Sequence, residues 1–237
     1  MNIAVIPARG GSKRIPRKNL REFNGKPVIF YAIKAAFESK VFSEVIVSTD
    51  DEEIAEYSRS QGAKIPWLRS KELSNDFATT SQVMQDAVMK LDSENLENVC
   101  CIYPVTPLLR PKYISEGLSV LNNGDWNYVF SAVKNDSNPQ RFFTLNPTNS
   151  VSMLLPDFEL TRTQDLEQTF HDAGQFYWGK KSAWLDKRPI LDSPSTIIEL
   201  SKDEAIDIDT FSHWKLAEDL YSSRSGLEET FRIGDNK

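Results

Sequence analysis

The sequence predicts an α/β fold, a single doubly wound domain on a mostly parallel sheet. Three observations predict it. Short apolar runs alternate with amphipathic stretches from residue 3 to about residue 133, the rhythm of strand, helix, strand. The first run leads at once into a glycine- and cation-rich loop, and such sheets place ligands beyond the carboxyl ends of their strands. The chain's 237 residues, 40% hydrophobic and 26% charged, suit one substantial core with an excursion better than two domains.

Ile3-Ala4-Val5-Ile6, broken by Pro7, reads as a buried strand. Beyond the loop, Pro27 stands at a first-turn position, and Val28, Tyr31, Ile33, Ala35, Ala36 and Phe37 give an amphipathic helix ending near Lys40. Val45-Ile46-Val47 is the second strand. Thr49 with Glu52, or Asp50 with Glu53, forms a capping box for a helix running to Gln61. A third strand is expected near 64–68, a helix over about 79–91, a fourth strand over 98–103, a helix over about 111–121 and a strand over 127–133. Cys100 and Cys101 are neighbours in the fourth strand, so they point to opposite faces and serve as core rather than as a disulfide.

From Lys134 to Asp172 the rhythm breaks into a polar stretch with Pro139, Pro147 and Pro156 and an apolar piece, Val151 to Leu155. A connection this long is functional or holds structure of its own, so it reads as an excursion that packs elsewhere. Gln175-Phe176-Tyr177-Trp178 re-enters the core, a strand follows over 196–200, and a helix over about 210–221 closes the domain. One domain is thus expected over 1–222, including the 134–172 excursion. The polar tail 223–237 is expected to be flexible, with Leu227 and Phe231 as its only docking points.

A net charge of −6 argues against a nucleic-acid binder, which needs a broad basic face. No run approaches the roughly 18 apolar residues that span a bilayer, and Met1 leads directly into the first strand, so a cytoplasmic protein without a membrane partner is expected.

Against that acidic total, Arg9, Lys13, Arg14, Arg17, Lys18 and Arg21 crowd around Gly10 and Gly11. Glycines let backbone amides approach a phosphate while the cations neutralise it; the bland alternative is a solvated basic turn. Neither a Walker loop nor a dinucleotide fingerprint is present, because Gly25 is the next glycine and Pro16 interrupts any helix starting from the loop. That weighs against a dehydrogenase. Near the other end, Ala205-Ile206-Asp207-Ile208-Asp209-Thr210 puts two carboxylates at i and i+2, on one face of an extended segment. Like charges held together call for a hard cation such as Mg²⁺, whereas the structural alternative makes Asp209 a helix cap. Basic loop and carboxylate pair together imply a nucleoside triphosphate and a metal. His171 next to Asp172 is a weak metal signal, and a hydrogen-bonding histidine at a pocket rim is the better reading.

Ile6-Pro7-Ala8-Arg9-Gly10-Gly11-Ser12-Lys13-Arg14-Ile15-Pro16 with Lys18-Asn19 resembles the N-terminal signature of the cytidylyltransferases that activate nine-carbon and related acidic sugars as CMP-sugars. The resemblance covers about 1–221 and implies a nucleotide-diphospho-sugar transferase-like fold. It implies CTP contacts at Ala8, Arg9, Gly10, Gly11, Ser12, Lys13, Lys18 and Asn19, and a second nucleotide segment with Arg69 and the hydroxyl of Thr79 or Thr80. Arg9, Lys13, Asp207 and Asp209 take the catalytic positions, the two aspartates as Mg²⁺ ligands.

Tyr103-Pro104-Val105-Thr106-Pro107 stands where the sialic-acid members carry a glutamine. With Thr163-Gln164-Asp165-Leu166-Glu167 and the run His171 to Trp178, it looks most like the pseudaminic acid branch. What this implies is transfer of CMP from CTP to the anomeric hydroxyl of a nonulosonic acid, releasing pyrophosphate. N-acetylneuraminate, legionaminate and Kdo are the alternative sugars, and a nucleotide-binding protein without turnover is the alternative from another class. Sugar contacts are implied at Tyr103, Arg162, Gln164, His171, Gln175 and Tyr177. In that family the excursion is a dimerisation arm, which implies a homodimer with Arg162 and Gln164 reaching the neighbouring site. No residue stands out as a general base.

Overall fold

The computed structural model describes residues 1–91, 93–192 and 194–234, with 225–234 described by backbone alone. In chain order the elements are β1 (Asn2–Pro7), β2 (Glu22–Phe23), β3 (Lys26–Pro27), α1 (Ile29–Ser39), β4 (Glu44–Ser48), α2 (Glu52–Ser60), α3 (Thr80–Lys90) and β5 (Asn98–Ile102). There follow α4 (Pro111–Asn123), β6 (Tyr128–Lys134), β7 (Phe143–Leu145), β8 (Val151–Met153), β9 (Phe170–Lys180), α5 (Lys181–Leu185), β10 (Ser195–Leu200) and α6 (Phe211–Gly234).

Six strands form the central sheet in the order β10-β6-β9-β5-β1-β4. All its neighbouring pairs are parallel except those of β9, which runs antiparallel between β5 and β6. Apolar side chains alternate to the two faces. Ile6, Val47, Ile102 and Trp178 meet α1, α2 and α4 on one side; Ile3, Val5, Cys101 and Tyr128 meet α3 and α5 on the other. A smaller cluster joins Ile15 and Phe23 to Tyr31, Ile208 and Trp214, so α6 packs over the chain that follows the basic loop. Trp178 is fully buried and its indole N–H donates to the Ile114 carbonyl at 2.9 Å. A Cβ on Gly117 would lie 2.8 Å from that indole, which is why α4 carries glycine there.

Several elements depart from expectation for local reasons. Pro27 belongs to the two-residue strand β3 rather than to a helix, and Val28 precedes α1. Neither proposed capping box forms at α2, because Asp51 is the cap and accepts from the Ile54 N–H at 3.0 Å. The segment 64–68 makes a single bridge, Ile46 to Lys64, instead of a strand, since Pro66 lacks the N–H that would extend it. The excursion holds the β7–β8 hairpin and 3₁₀ turns at Pro139–Arg141, Pro156–Phe158 and Thr163–Asp165. The final helix does not stop at 221 but runs to Gly234. The side chains of Leu227 and Phe231, and residues 235–237, lie outside the described residues.

Candidate active site

The carboxyl ends of β1, β4 and β5 face one edge of the sheet, where the basic loop begins. Ala8 is buried and its N–H still pairs with the Ser48 carbonyl at 2.9 Å, so the loop leaves the sheet only at Arg9. The Gly10 N–H donates to Asp50 Oδ1 at 3.0 Å, and a Cβ there would sit 2.6 Å from Asp51 Oδ2. Glycine is therefore demanded by the close approach to the first turn of α2. Buried Asn19 donates to the Arg9 carbonyl at 2.8 Å and ties the far end of the loop back on its start. Arg17, in the left-handed region at φ 52°, pairs with Asp51 at 3.4 Å and with Glu53.

The cations then bridge two acidic segments. Arg9 donates to Asp76 Oδ1 at 2.8 Å and to the Asn75 carbonyl at 3.1 Å, and Lys13 pairs with the other Asp76 oxygen. Arg14 pairs with Asp209, whose second oxygen lies 3.5 Å from Lys18 Nζ. Lys13 and then Arg9 hold the Asp76 carboxyl below its ordinary range. Burial lowers Lys18. Burial first, and then the charge of Asp209, raises Asp207, so the two carboxylates do feel each other across the segment.

Between these groups lies a cavity of about 210 Å³ lined by Arg9, Ser12, Lys13, Arg14, Lys18 and Asp207, with Tyr103 as a wall. Beyond the Arg9–Asp76 bridge an adjoining cavity of about 250 Å³ is lined by Arg69, Ala78, Thr80 and Val83 and shares Arg9 and Tyr103. Arg69 is 5% exposed, lies 3.9 Å from Asp50 and is lowered by its burial. Four cations, Arg9, Lys13, Arg14 and Lys18, around the first cavity make it a phosphate-sized anion site. Among the described residues no three His, Cys, Asp or Glu converge, and the carboxylates that stand nearest the loop cations for a metal are Asp207, which lines the cavity, and Asp209, which pairs with Arg14 and Lys18. That donor set fits Mg²⁺, which takes one or two carboxylates and completes its shell with phosphate oxygens and water.

Other expected site residues fall in different places. The Thr79 hydroxyl caps α3 in a capping box with Gln82, whereas the Thr80 hydroxyl lies 2.9 Å from that of Tyr103 and faces the second cavity. Tyr177 is buried against Tyr103, and its hydroxyl donates to Asp172 at 2.6 Å. His171 Nδ1 lies 2.7 Å from Asn135 Oδ1, at the rim of a third cavity of about 340 Å³ walled by Phe130, Phe170 and Ile197. Gln175 lines none of these three cavities: it is 2% exposed and donates to the Glu204 carbonyl at 2.5 Å. The position that sequence assigns to a ligand contact is used to hold a loop. Arg162 and Gln164 are exposed on the excursion and line none of these three cavities within the chain.

Sequence reasoning missed Glu204, which fixes the segment carrying Asp207 and Asp209. Its carboxylate accepts from Tyr113, from Ser201 at 2.8 Å and from Arg110 at 2.6 Å, with Arg224 at 3.7 Å. Burial pushes this acid up, but the hydroxyl bonds and the two guanidiniums outweigh it and the net shift is downward. No local pattern marks this residue, because its partners come from α4 and α6. Asp50 was read only as a cap, although Gly10 three strands' worth of chain earlier is what it holds.

Comparison with known proteins adds an independent line. A family model described as Cytidylyltransferase matches residues 3–224. The chain is 41% identical over 222 residues to a pseudaminic acid cytidylyltransferase of Campylobacter jejuni, covering 93% of this chain and 96% of that one. It is 29% identical over 223 residues to a CMP-N,N'-diacetyllegionaminic acid synthase of Legionella pneumophila, covering 92% and 95%. Among solved structures, a CMP:2-keto-3-deoxy-manno-octonic acid synthetase complexed with CTP has the same fold, with a TM-score of 0.71 at 17% identity over 94% of this chain and 99% of that one.

Proposed function

The chain belongs to the cytidylyltransferase family, and from that premise we propose that it transfers CMP from CTP to the anomeric hydroxyl of pseudaminic acid, releasing pyrophosphate. The observation that carries the reading is the pairing of one basic loop with both acidic segments around a phosphate-sized cavity. Relatives named for this activity at 41% and 40% identity support the choice of sugar.

In this reading the triphosphate enters the cavity of Arg9, Ser12, Lys13 and Lys18, and it displaces the carboxylates that hold these cations in its absence. Arg9 and Lys13 offset the charge that builds on the α-phosphate and on departing pyrophosphate. Asp207 and Asp209 hold Mg²⁺, which when bound supplies further charge neutralisation at the phosphates. Arg69, Thr80 and the adjoining cavity take the nucleoside. The sugar is read against Tyr103 and Tyr177 and against His171, which lines a cavity of about 340 Å³ walled by Phe130 and Phe170. Apolar walls suit a deoxy, acylated sugar better than a fully hydroxylated one.

The protein acts as a homodimer through the excursion, whose Phe143, Leu145, Val151 and Leu160 are more than half exposed in the single chain. Arg162 and Gln164 then serve the neighbouring site. The test is pyrophosphate release from CTP with Mg²⁺ against pseudaminic acid, N-acetylneuraminate, legionaminate and Kdo. Turnover with pseudaminic acid at least tenfold above the others supports the assignment; preference for another sugar refutes it, and no turnover with any refutes the transfer itself.

A further inference from the structure

A further cavity, of about 360 Å³, lies between α1, the turn that leads into α4 and the body of α6, and it shares no lining residue with the three described above. Four cations line it, Lys34, Arg110, Lys112 and Arg224, in a chain whose net charge is −6. One acid lines it with them, Glu38, which lies 3.7 Å from Lys34 on the same helix. Behind the wall, the buried carboxylate of Glu204 serves both guanidiniums, Arg110 at 2.6 Å and Arg224 at 3.7 Å.

Positive charge is therefore in excess at this cavity. Burial lowers Arg224, and the charge of Arg110 lowers it further, so the two guanidiniums repel each other across the site and an anion between them relieves the repulsion. Against Glu38 and Glu204 the four cations leave two charges unmatched, which suits a phosphate monoester better than a single carboxylate. The remaining walls are apolar or aromatic, among them Leu108, Tyr31 and Tyr221. A volume of this size with convergent charges and apolar walls fits an organic molecule and is more than a bare phosphate fills.

We propose that this cavity is a second ligand site, that it takes a small organic phosphate, and that the occupant draws Arg110 from Glu204 and so loosens the segment carrying Asp207 and Asp209. Arg224 is the fixed half of the site. Its guanidinium donates to the Leu108 carbonyl at 3.1 Å and to the Asp203 carbonyl at 2.9 Å, and its side chain is 18% exposed. Arg110 is the half that moves, with a side chain 43% exposed and Glu204 as its ion-pair partner. Its departure leaves Glu204 to Tyr113, Ser201 and Arg224. The consequence for turnover rests on the reading of Asp207 and Asp209 as the metal carboxylates; the binding site does not.

The experiment titrates phenyl phosphate calorimetrically into the intact protein, Arg9→Ala/Lys13→Ala and Lys34→Ala/Lys112→Ala. The first double variant strips two cations from the loop cavity and should still bind. The second alters two exposed side chains away from that cavity and should bind at least about tenfold more weakly, the scale of lost charge-assisted hydrogen bonds. Inorganic phosphate should bind more weakly than phenyl phosphate, and equal affinity would overturn the organic ligand class. Saturating phenyl phosphate should speed backbone hydrogen exchange over residues 201–209 in Arg9→Ala/Lys13→Ala, with no change in Lys34→Ala/Lys112→Ala. Absence of binding, or binding that follows Arg9 and Lys13 and ignores Lys34 and Lys112, would overturn the site. Unchanged exchange over 201–209 would overturn the coupling through Glu204. Thermal melts identify an unfolded variant, in which case Lys34→Gln and Lys112→Gln singly decide the same point. In the intact protein phenyl phosphate should also lower kcat at saturating CTP; if exchange responds and kcat does not, the metal reading of the two aspartates fails and the site stands.

Discussion

At the scale of single residues the aspartate pair carries the clearest consequences. Asp209→Ala is expected to lower turnover at least about a hundredfold, a few kcal/mol of transition-state stabilisation, in an initial-rate assay with saturating Mg²⁺. Unchanged Mg²⁺-dependent turnover would exclude it from the metal site. In the basic loop, Arg9→Ala and Lys13→Ala should impair CTP binding far more than Arg21→Ala, because the Arg21 guanidinium stacks on Phe211 at 4.7 Å outside the cavity. Equal losses at all three would mean a diffuse field.

Asp207 gives a test with opposite signs for stability and activity. Burial and Asp209 raise its carboxyl, so the folded protein favours the protonated form and is destabilised once the pH exceeds the folded pKa. Asp207→Asn should therefore raise the melting temperature at pH 7 by about 1–2 °C while abolishing most turnover. As the pH falls below the unfolded value near 3.8, the gain should vanish, since Asp207 is then protonated in both states. A melting temperature that falls at pH 7 would refute this.

Among the elements, the segment between β10 and α6 depends on one buried acid. Glu204→Ala removes the acceptor of Tyr113, Ser201 and Arg110 and leaves Arg110 and Arg224 facing each other, at a cost of about 3 kcal/mol. The urea midpoint should fall with an unchanged slope. The Glu204 carboxyl is lowered in the folded state, so its contribution is present above the unfolded value near 4.5 and is lost as the pH falls through the folded one. A Glu204→Gln comparison should accordingly converge with the parent in acid. A midpoint unchanged by Glu204→Ala would show that the loop is held by other means.

The elements also show where sequence is legible. Ile3 to Ile6 and Val45 to Val47 announce buried strands because both faces of a parallel sheet are covered and every position is apolar. The basic loop is legible because six charges in thirteen residues have no packing explanation. The direction of β9 is not, because Gln175 to Trp178 reads the same in either orientation and only pairing with β5 and β6 decides it. Asp51 as the cap of α2 was hidden by three adjacent residues of equal capping ability. Gln175 and Glu204 were illegible for a common reason: a buried polar residue is explained by partners distant in sequence.

For the whole molecule, the proposed dimer is tested at the excursion. Leu160 is 94% exposed, and Leu145 and Val151 lie more than 60% exposed on the β7–β8 hairpin, surface that one chain leaves in water. Sedimentation equilibrium at micromolar concentration should give twice the mass of one chain, and Leu145→Asp with Val151→Asp should give a monomer. Mixing an Asp209→Ala parent with an Arg162→Ala parent should restore part of the activity through heterodimers. A fully active monomer would refute the dimeric arm, and a dimer without complementation would refute the shared site. Among the described residues no helix is long and apolar enough to cross a membrane.

The placement of β9 also governs how the chain is made. β5 ends at Ile102 and its partner on that side ends only at Lys180, so the nascent polypeptide carries β1, β4 and β5 with one hydrogen-bonding edge open while the whole intervening stretch emerges. At about 5–20 residues per second that interval is roughly 4–16 s. The exposed edge is Asn-Val-Cys-Cys-Ile, uncharged and apolar beyond its first residue, the composition that recruits strands from other chains. Sheet closure waits on a late-arriving antiparallel strand, and a synthesis arrested before it should yield a product that aggregates through β5.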